Sequence, residues 1–447
     1  MLFRSLPLSG SGDLTRNGRP GNSSFVGVGQ LGTGNLGQSI KLPQSKNHAR
    51  EMAKGWDMKK IETVKVHSDG VSGCSILIQQ GPQNTSFLTS VSLDGTLLVQ
   101  NVVLDESGGE DEVKRRGFTG TLSRFAYSVG GLNQPTPVAV QSKLSVYRRY
   151  TASDPLACLS VSSDGHGGHL AFAGGHDDVV LAYGINSACA VASVYSHRDA
   201  VTGIDVIPKP PSTTENILWP DKSTHIMVTG SWDATVKIWS VVVSSGETVS
   251  INREPLAELF DADSTIVCLA AIYIDGTGVA ISSGCSDGSF IVWLCHDDGT
   301  KVVISKEPAR RGLGPCSALK WSEECGQIYL FTGFSTGKLA SYTLSNGGLT
   351  RVSAVSIGVA VHCFEYAEGI LLAGCADGGL RLLPIRDGGC FNGKPTLWSS
   401  VNGKDGPGLT CVSLGFTGAI GDGFGKCICT AGATDGSVSV FELKKVL

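Results

Sequence analysis

Four residues whose side chains can exchange hydrogen bonds or protons lie in the middle of the chain: His197, Thr229, Asp233 and Trp239. A histidine, a hydroxyl and a carboxylate are also the parts of a nucleophilic triad, in which the carboxylate orients the histidine and the histidine activates the hydroxyl. Here the indole N–H of the fourth residue can donate to the hydroxyl, and the carboxylate can accept from backbone amides. Such a set satisfies its own members, so we predict a structural tetrad and no catalytic residue.

A predicted β-hairpin must position this tetrad. Two segments rich in β-branched and aromatic residues flank the turn-prone Asp233, namely His225 to Ser231 and Thr235 to Ser240. Thr229 lies four residues before Asp233 and Trp239 lies six after it, and His197 opens an upstream His-Arg-Asp-Ala-Val segment. This spacing resembles the signature of the WD40 repeat.

The hairpin recurs along the chain, which indicates a repeat architecture. Seven copies are centred on Asp94, Asp177, Asp233, Asp287, Thr336, Asp377 and Asp435. The position six residues further on is mostly large, as a blade core requires, and the position four residues before is polar in four copies. Only the copy at Asp233 has the full tetrad. We predict an all-β fold, a seven-bladed WD40 β-propeller.

A second regularity supports this alignment. One residue of the strand before each hairpin is small in all seven copies: Gly73, Cys158, Gly203, Cys268, Ala318, Cys363 and Cys411. The innermost strands of a propeller crowd around a channel, which favours small side chains there. Four of the fourteen cysteines are thereby explained as small apolar residues. No Cys-x-x-Cys pair occurs, so we expect no metal site.

The composition limits which classes of protein this chain can belong to. Glycine supplies 59 of 447 residues, as expected for many short strands joined by tight turns. The formal net charge of -4 does not favour nucleic-acid binding. No apolar run reaches the ~18 residues of a membrane span, and the first residues lack the apolar core of a signal peptide. We therefore expect a cytoplasmic protein.

The amino-terminal segment differs from the rest of the chain. It is rich in Gly, Ser, Asn and Gln without a sustained period, and residues 1–60 carry nine Lys/Arg against three Asp/Glu. We predict that residues 1–56 are a disordered basic segment and that residues 57–447 form the propeller. The glycines at 27, 29 and 32 imitate a nucleotide fingerprint, but no strand precedes them and no helix follows, so we expect no cofactor.

Three further segments have predicted roles. Ile61 to Val66 should close the ring as the outer strand of the blade that contains Asp435, because the last sheet would otherwise keep an open edge. The acidic insertion at 104–141 and the Pro-rich insertion at 208–223 are expected to be solvated loops, with a docking or phosphorylation element as the alternative for each.

Several segments together resemble the carboxy-terminal WD40 propeller of BEACH-domain proteins, of the type represented by the factor associated with neutral sphingomyelinase activation and its plant relatives. The segments that carry the resemblance are His67-Ser-Asp-Gly-Val-Ser, Gly174 to Tyr183, His197 to Val201, Gly230 to Trp239 and Pro255-Leu-Ala-Glu-Leu-Phe260. The resemblance implies a scaffold in membrane trafficking or signalling, peripheral to endomembranes. Residues 1–55 do not resemble a BEACH module, so a truncated product or a propeller-only relative is expected.

The leading function is a non-catalytic platform that binds proteins or peptides on a propeller face. Residues before the turn aspartates and at the starts of the inner strands should surround the channel mouth: Trp232, His176, Ser286, Arg198 and Asp199. An enzyme would need a cluster of ionisable groups converging at the channel mouth, and we expect none in register across blades. The alternative, a substrate receptor of a ubiquitin ligase, resembles proteins with Trp-Asp-x-Arg after the third strand, which Trp239-Ser-Val-Val does not match.

Overall fold

Short antiparallel strands build the whole described part of the chain, as its β-branched and aromatic segments predict. The computed structural model describes residues 56–78, 86–102, 144–163, 169–185, 187, 190–211, 213, 215–220, 222–244, 248–345, 348–367, 369–386, 388–392, 396–400, 406–417 and 426–445. These residues contain thirty strands and no helix. The disorder predicted for residues 1–56 concerns a segment outside them, except for Trp56, which belongs to a strand.

The strands form seven antiparallel sheets, numbered here as blades one to seven in chain order. The innermost strands are β2 (Val71–Ile78), β6 (Leu156–Ser163), β10 (Val201–Pro208), β15 (Ile266–Ile274), β19 (Cys316–Glu324), β23 (Val361–Ala367) and β28 (Leu409–Thr417). The second strands are β3 (Ser86–Ser92), β7 (His169–Gly175), β11 (His225–Ser231), β16 (Gly278–Cys285), β20 (Gln327–Phe334), β24 (Ile370–Cys375) and β29 (Lys426–Ala433).

The third strands are β4 (Thr96–Val102), β8 (Val179–Gly184), β12 (Val236–Ser244), β17 (Phe290–His296), β21 (Lys338–Ser345), β25 (Gly379–Arg386) and β30 (Ser437–Lys445). The outer strands are β5 (Leu144–Thr151), β9 (Ala190–Tyr195), β13 (Thr248–Ile251) with β14 (Ala257–Leu259), β18 (Lys301–Glu307), β22 (Gly348–Ser356), β26 (Cys390–Phe391) with β27 (Thr396–Ser400), and β1 (Trp56–Lys65). The predicted seven-bladed all-β fold is confirmed.

The ring closes as predicted, with the first strand of the chain in the last blade. Strand β1 pairs antiparallel with β30, in the sheet order β1-β30-β29-β28. It begins at Trp56, five residues before the predicted start at Ile61, and a register shift lies between Lys60 and Glu62. The early strand therefore covers the edge that the last blade would otherwise expose.

Seven apolar clusters fill the spaces between neighbouring blades, one at each boundary around the ring. The cluster between blades two and three contains the buried Trp239, and the next one contains the buried Trp293. Each blade contributes its two faces to two clusters. Burial of apolar area at ~25 cal/mol per Å² therefore stabilises the ring mainly through contacts between blades.

The small residues of the inner strands line the central channel. A Cβ atom at Gly73 would lie 2.6 Å from Cβ of Leu159 in the next blade, and one at Gly203 would lie 2.6 Å from Cβ of Leu269. The steric limit therefore comes from the neighbouring inner strand as well as from the crowded axis.

One side chain per blade also donates a hydrogen bond to the next blade. The acceptors are the carbonyls of the first residues of the seven innermost strands. The donors are the hydroxyls of Ser72, Thr202, Ser317 and Thr410, Nδ1 of His362, and the thiols of Cys158 and Cys268. The two thiols serve the boundaries where Ala157 and Val267 occupy the donor position. These two cysteines thus bond to a carbonyl besides filling space.

The expectation of a solvated loop at 208–223 is wrong for the described residues near its end. Leu218 and Trp219 are fully buried in the cluster between blades three and four. The indole of Trp219 meets the ring of Tyr273 edge-on, with centroids 5.8 Å apart. A turn in which the Asn216 side chain accepts from the Trp219 amide at 2.8 Å holds the segment. Because the segment has no strand period, its pattern did not indicate this burial.

The acidic insertion lies where it was predicted, between the third and outer strands of blade one. Strand β4 ends at Val102 and β5 begins at Leu144. The loop predicted at 104–141 is itself outside the described residues.

Candidate functional site

All seven hairpin turns share one backbone feature. The residue after each turn residue has a positive φ, between 60° and 89°: Gly95, Asp178, Ala234, Gly288, Gly337, Gly378 and Gly436. Glycine adopts this conformation without a Cβ penalty, which explains five of the seven. In four of the turns, Oδ1 of the aspartate accepts from both the amide and the hydroxyl of the Thr or Ser two residues later.

The tetrad residues of blade three are joined by hydrogen bonds. His197 Nδ1 lies 3.2 Å from Asp233 Oδ2 and 3.0 Å from Thr235 Oγ1, and its Nε2 lies 2.8 Å from Thr229 Oγ1. The Trp239 indole N–H donates to Thr229 Oγ1 at 3.0 Å. Because the Thr235 hydroxyl donates to Asp233, His197 Nδ1 is the donor to both. Nε2 is then an acceptor, and the Thr229 hydroxyl donates to it.

Hydrogen bonds also fix the charge of Asp233. Burial pushes the pKa of this carboxyl up, but the bonds from His197, Thr235 and the Arg198 amide outweigh burial and hold the pKa well below its usual range. The carboxylate is therefore ionised near neutral pH. His197 and Thr229 are both buried, so the arrangement does not present a nucleophile to solvent, and it favours a structural role.

Blade one contains a shorter version of this network, which the sequence analysis missed. His67 Nδ1 lies 2.8 Å from Thr96 Oγ1, and its Nε2 lies 2.9 Å from Ser90 Oγ. Asp94 accepts from Thr96 and from the amide and hydroxyl of Ser68. The available signal was Ser90, four residues before Asp94, together with His67 in the incoming loop. The network was missed because Gln100 occupies the position that Trp239 has in blade three.

The tryptophan of blade four has a different partner from the one in blade three. The Trp293 indole N–H donates to Asp261 Oδ2 at 2.7 Å. Asp261 lies in the loop that enters the blade, whereas Ser283 occupies the position equivalent to Thr229. The indole at this position thus donates to a loop carboxylate in blade four and to a hydroxyl of the second strand in blade three.

Trp232 and His176, two of the predicted partner-binding residues, lie against each other. Their ring centroids are 5.4 Å apart at an interplanar angle of 42°. Trp232 belongs to blade three and His176 to blade two, so the contact bridges two blades on the face that carries the hairpin turns, called the turn face below. Trp232 nevertheless remains 42% exposed. The indole both packs on the adjacent blade and faces solvent.

Arg198 and Asp199 belong to the loop that enters blade three on the same face, and both are exposed. The Arg198 amide donates to Asp233 at 3.0 Å, and Asp199 Oδ1 accepts from the Ala200 amide at 2.8 Å. The structure thus fixes the backbone of this loop through the tetrad. The Arg198 side chain forms no hydrogen bond or ion pair with any described residue.

Ser286 differs from the other four because its hydroxyl is already engaged. Its Oγ lies 2.8 Å from Ser264 Oγ and accepts from Thr265 Oγ1 at 2.7 Å. These bonds tie the turn of blade four to the loop before β15. Ser286 is half-buried, and of the five predicted residues it offers the smallest free surface.

Charged residues meet in the wall of the central channel, so the expectation of no ionisable groups in register is wrong. Asp205, Lys320 and Glu365 each lie two residues after a small channel residue of their own blade, at equivalent positions. Lys320 Nζ lies 2.6 Å from Glu365 Oε1. Asp205 Oδ2 accepts from the Ala271 amide of blade four at 3.0 Å. The sequence did contain a signal for this cluster, because its three charged residues each lie two positions after one of the aligned small residues.

The charges in the channel compensate one another. Burial raises the pKa of Asp205, against the amide bond from Ala271 and the attraction of Lys320. Burial works against the charge of Lys320, but Glu365 and Asp205 together raise its pKa. Lys320 and Glu365 thus pair between blades five and six, whereas Asp205 bonds to blade four and acts on Lys320 only through its charge.

The described residues contain no group of three or more His, Cys, Asp or Glu side chains arranged to hold a metal ion. The thirteen described cysteines are free. Burial raises the pKa of Cys158 to about 12 and the pKa of Cys285 and Cys375 to about 11. These thiols therefore stay protonated near neutral pH. None of the described segments is a helix of the length and apolarity needed to cross a membrane.

Comparison with known proteins agrees with this geometry. Residues 189–240 match the family described as WD domain, G-beta repeat. The fold is similar to the crystal structure of the WD40 beta propeller domain of Doa1, with a TM-score of 0.52 and 14% identity over 86% of this chain and 96% of that one. The computationally designed Ika8 protein is 16% identical over 86% of this chain and 99% of that one, with a TM-score of 0.47.

The matched residues 189–240 contain the whole tetrad of blade three. The seven sheets make the fold a seven-bladed β-propeller, and the match shows one WD40 repeat across blades two and three. WD40 propellers commonly act as protein-interaction scaffolds, and function lies in the sites that a fold carries.

Proposed function

We propose that this protein is a non-catalytic scaffold that docks a protein or peptide on the turn face of blades two and three. The observation that carries the proposal is Trp232, a tryptophan left 42% exposed at a rigid turn. Asp233 beside it is held by the tetrad, and His176 supports one side of the indole. A preorganised aromatic side chain loses little conformational entropy on binding.

Arg198 and the carboxylate of Asp199 complete this surface with opposite charges. Tryptophan and arginine are the residue types most enriched among the few side chains that dominate binding energy. Since the backbone of the Arg198 loop is fixed by Asp233, the network of blade three positions both binding side chains. This links the structural tetrad to the proposed docking site.

For the wider role, we propose the propeller part of a BEACH–WD40 type of protein, acting in membrane trafficking or signalling in the cytoplasm and peripheral to endomembranes. The support is the likeness of the segments around His67, His197 and Trp232 and of the Pro255-Leu-Ala-Glu-Leu-Phe260 segment. No observation favours the ubiquitin-ligase alternative, because Trp239 and Trp293 are not followed by the expected arginine.

The docking site can be tested by quantitative partner capture with Trp232→Ala and Arg198→Ala. The matched control is Tyr147→Ala, which removes an aromatic ring of similar exposure, 38%, from the outer strand of blade one. We expect Trp232→Ala to weaken capture by roughly 2 kcal/mol, about thirtyfold, as for a central interface aromatic. Tyr147→Ala should leave capture unchanged.

All three variants should unfold at nearly the wild-type temperature, because the substituted side chains are exposed or half-exposed. If folded Trp232→Ala and Arg198→Ala proteins capture partners as well as the wild type, the turn face of blades two and three is not the docking site.

A further inference from the structure

A separate cavity of about 460 Å³ lies between blades four and five. It sits beneath the connection of residues 308–315 and is bounded by the turn-face ends of β17, β18, β20, β21 and β22. The proposed docking surface around Trp232 belongs to blades two and three. The cavity therefore does not share lining residues with that surface.

The inner wall of the cavity is apolar and preformed. Phe290, Phe334, Leu339 and Tyr342 line it, and all four are buried. The rings of Phe290 and Tyr342 meet edge-on with centroids 5.4 Å apart, joining blade four to blade five. An apolar group entering this cavity would replace water on side chains that are already fixed by packing.

The rim of the cavity is cationic although the chain is anionic. Arg310, Arg311, Lys338 and Arg351 line it against the single acid Glu307, a formal charge of +3, whereas the whole chain carries -4. Such a local excess of positive charge attracts anionic groups to this edge of the propeller.

Two of the four cations are already engaged, and two are not. Arg310 Nη2 lies 3.0 Å from Glu307 Oε2, and Lys338 Nζ donates to the Gly312 carbonyl at 3.2 Å. Both bonds hold the 308–315 connection over the cavity. Arg311 and Arg351 form no hydrogen bond or ion pair with any described residue, and both are exposed. Their guanidinium groups are free to bind carboxylates bidentately.

Tyr342 adds a polar group to the apolar wall. Its side chain is more than nine-tenths buried, yet its hydroxyl forms no hydrogen bond with any described residue. A hydroxyl at the surface of an apolar cavity offers a ligand one hydrogen-bond donor and an acceptor.

We propose that this cavity is a second binding site, which takes an acidic peptide segment with one aromatic or aliphatic anchor. The anchor enters between Phe290 and Phe334, and carboxylates on the neighbouring peptide residues pair with Arg311 and Arg351. The Tyr342 hydroxyl bonds to a polar atom of the peptide beside the anchor. Short segments of this kind combine an apolar anchor with charge complementarity.

A phosphorylated lipid headgroup fits the same cations less well. It has no apolar part that would occupy the wall formed by Phe290, Phe334 and Leu339. None of the exposed large apolar side chains found among the described residues lies in the 308–315 connection, so nothing beside Arg311 would enter a bilayer. A peptide accounts for both the wall and the rim.

The test starts with a displayed library of random dodecapeptides selected on the full-length protein. We expect the enriched peptides to place Asp or Glu on both sides of a Phe, Leu or Trp. Synthetic versions are then titrated by fluorescence anisotropy against the wild type, Arg351→Glu, Arg311→Glu and Tyr342→Phe. Loss of a charge-assisted pair should weaken binding by about tenfold or more. Peptides with Asn and Gln in place of the acidic residues should bind the wild type as weakly as the acidic peptides bind the arginine variants.

Two control variants establish whether peptide binding depends on this cavity. Arg253→Glu makes the same charge change at an exposed arginine outside the cavity and should alter affinity by no more than about twofold. Trp232→Ala should leave binding of these peptides unchanged even if it abolishes docking on blades two and three. The two proposals can thus fail separately.

Three results would overturn the proposal. The first is a library that yields only peptides without acidic residues. The second is acidic peptides that bind Arg351→Glu as tightly as the wild type while that variant keeps the wild-type unfolding temperature. The third is binding to phosphatidylcholine vesicles containing phosphatidylinositol phosphates that depends on Arg351, with no peptide that does.

Discussion

Among single residues, the turn aspartates of blades one and three are the most connected polar groups in their networks. Asp233 accepts from His197, Thr235 and the Arg198 amide, and Asp94 accepts from Thr96 and Ser68. A carboxylate that accepts several hydrogen bonds leaves all of their donors without that partner when it is removed. Asp233 and Asp94 should therefore carry larger stability effects than a turn residue such as Thr336, whose hydroxyl makes one exposed bond.

We predict that Asp233→Ala lowers the free energy of unfolding by about 1–3 kcal/mol. Thr336→Ala should cost less, because the Thr336 hydroxyl makes one exposed bond, to the Leu313 carbonyl. Asp94→Ala should resemble Asp233→Ala, since blade one has a comparable network. Chemical denaturation measures all three. Equal losses for Asp233→Ala and Thr336→Ala would contradict a special role for the network of blade three.

The histidine of blade one makes stability depend on pH. Burial lowers the pKa of His67, although Asp94 opposes this effect. The unfolded chain then binds a proton that folded His67 does not, from its ordinary pKa of ~6.5 downward, so stability falls as the pH drops below that value. The lowered pKa of Asp94 and Asp233 adds a separate loss only below ~4, where unfolded aspartate becomes protonated.

We predict that the wild type loses more stability than His67→Gln between about pH 7 and pH 5. Gln can still donate to a hydroxyl but has no proton to gain in this range. Urea midpoints at the two pH values measure the difference. Parallel pH dependence of the two proteins would show that His67 does not titrate with unfolding.

At the scale of elements, the innermost strands are joined by hydrogen bonds as well as by apolar contact. In each case a side chain of one strand donates to the first carbonyl of the next, as Thr202 does to Ile266 at 2.6 Å. That carbonyl belongs to an innermost strand, which pairs with a second strand on one edge only. The hydroxyl, imidazole or thiol supplies the partner, so strand order around the ring is fixed by polar and apolar terms together.

We predict that Thr202→Val lowers the free energy of unfolding by about 1 kcal/mol, because it keeps the side-chain shape and removes the donor. The matched control is Thr350→Val, the same change at an exposed position of β22. That variant should stay within about 0.5 kcal/mol of the wild type. If the two variants unfold at the same denaturant concentration, the bond between strands contributes nothing measurable.

At the scale of the whole molecule, ring closure by β1 determines whether the last blade is complete. Half-buried Ile61 and Val64 pack against the cluster between blades seven and one, and Met58 packs against the cluster between blades six and seven. Removing β1 would expose both clusters and the edge of β30.

We predict that a chain lacking residues 56–65 loses about 3 kcal/mol or more of stability, from three apolar side chains and a strand ladder. A chain that starts at residue 46 keeps β1 and serves as the control. Differential scanning calorimetry compares their unfolding temperatures. If both melt alike, closure by β1 does not stabilise the ring.

The sequence by itself determined the repeat, and with it the fold. Turn residues, small residues and large core residues recur in each blade because a hairpin and its packing face depend on residues close along the chain. For the same reason the spacing around Asp233 predicted the tetrad, since three of its members lie within one hairpin. Closure by an early strand followed from the open edge that the last blade would otherwise have.

Only the tertiary structure decided which residues of different blades meet. Trp232 rests on His176, Lys320 pairs with Glu365, and Trp219 enters a core from a segment without any strand period. These contacts depend on the angle and spacing between blades, which no single repeat encodes. The cavity between blades four and five arises in the same way, because its wall and rim come from strand ends far apart in sequence. Packing between sheets, through side-chain shape and burial, therefore set the surfaces that carry the proposed function.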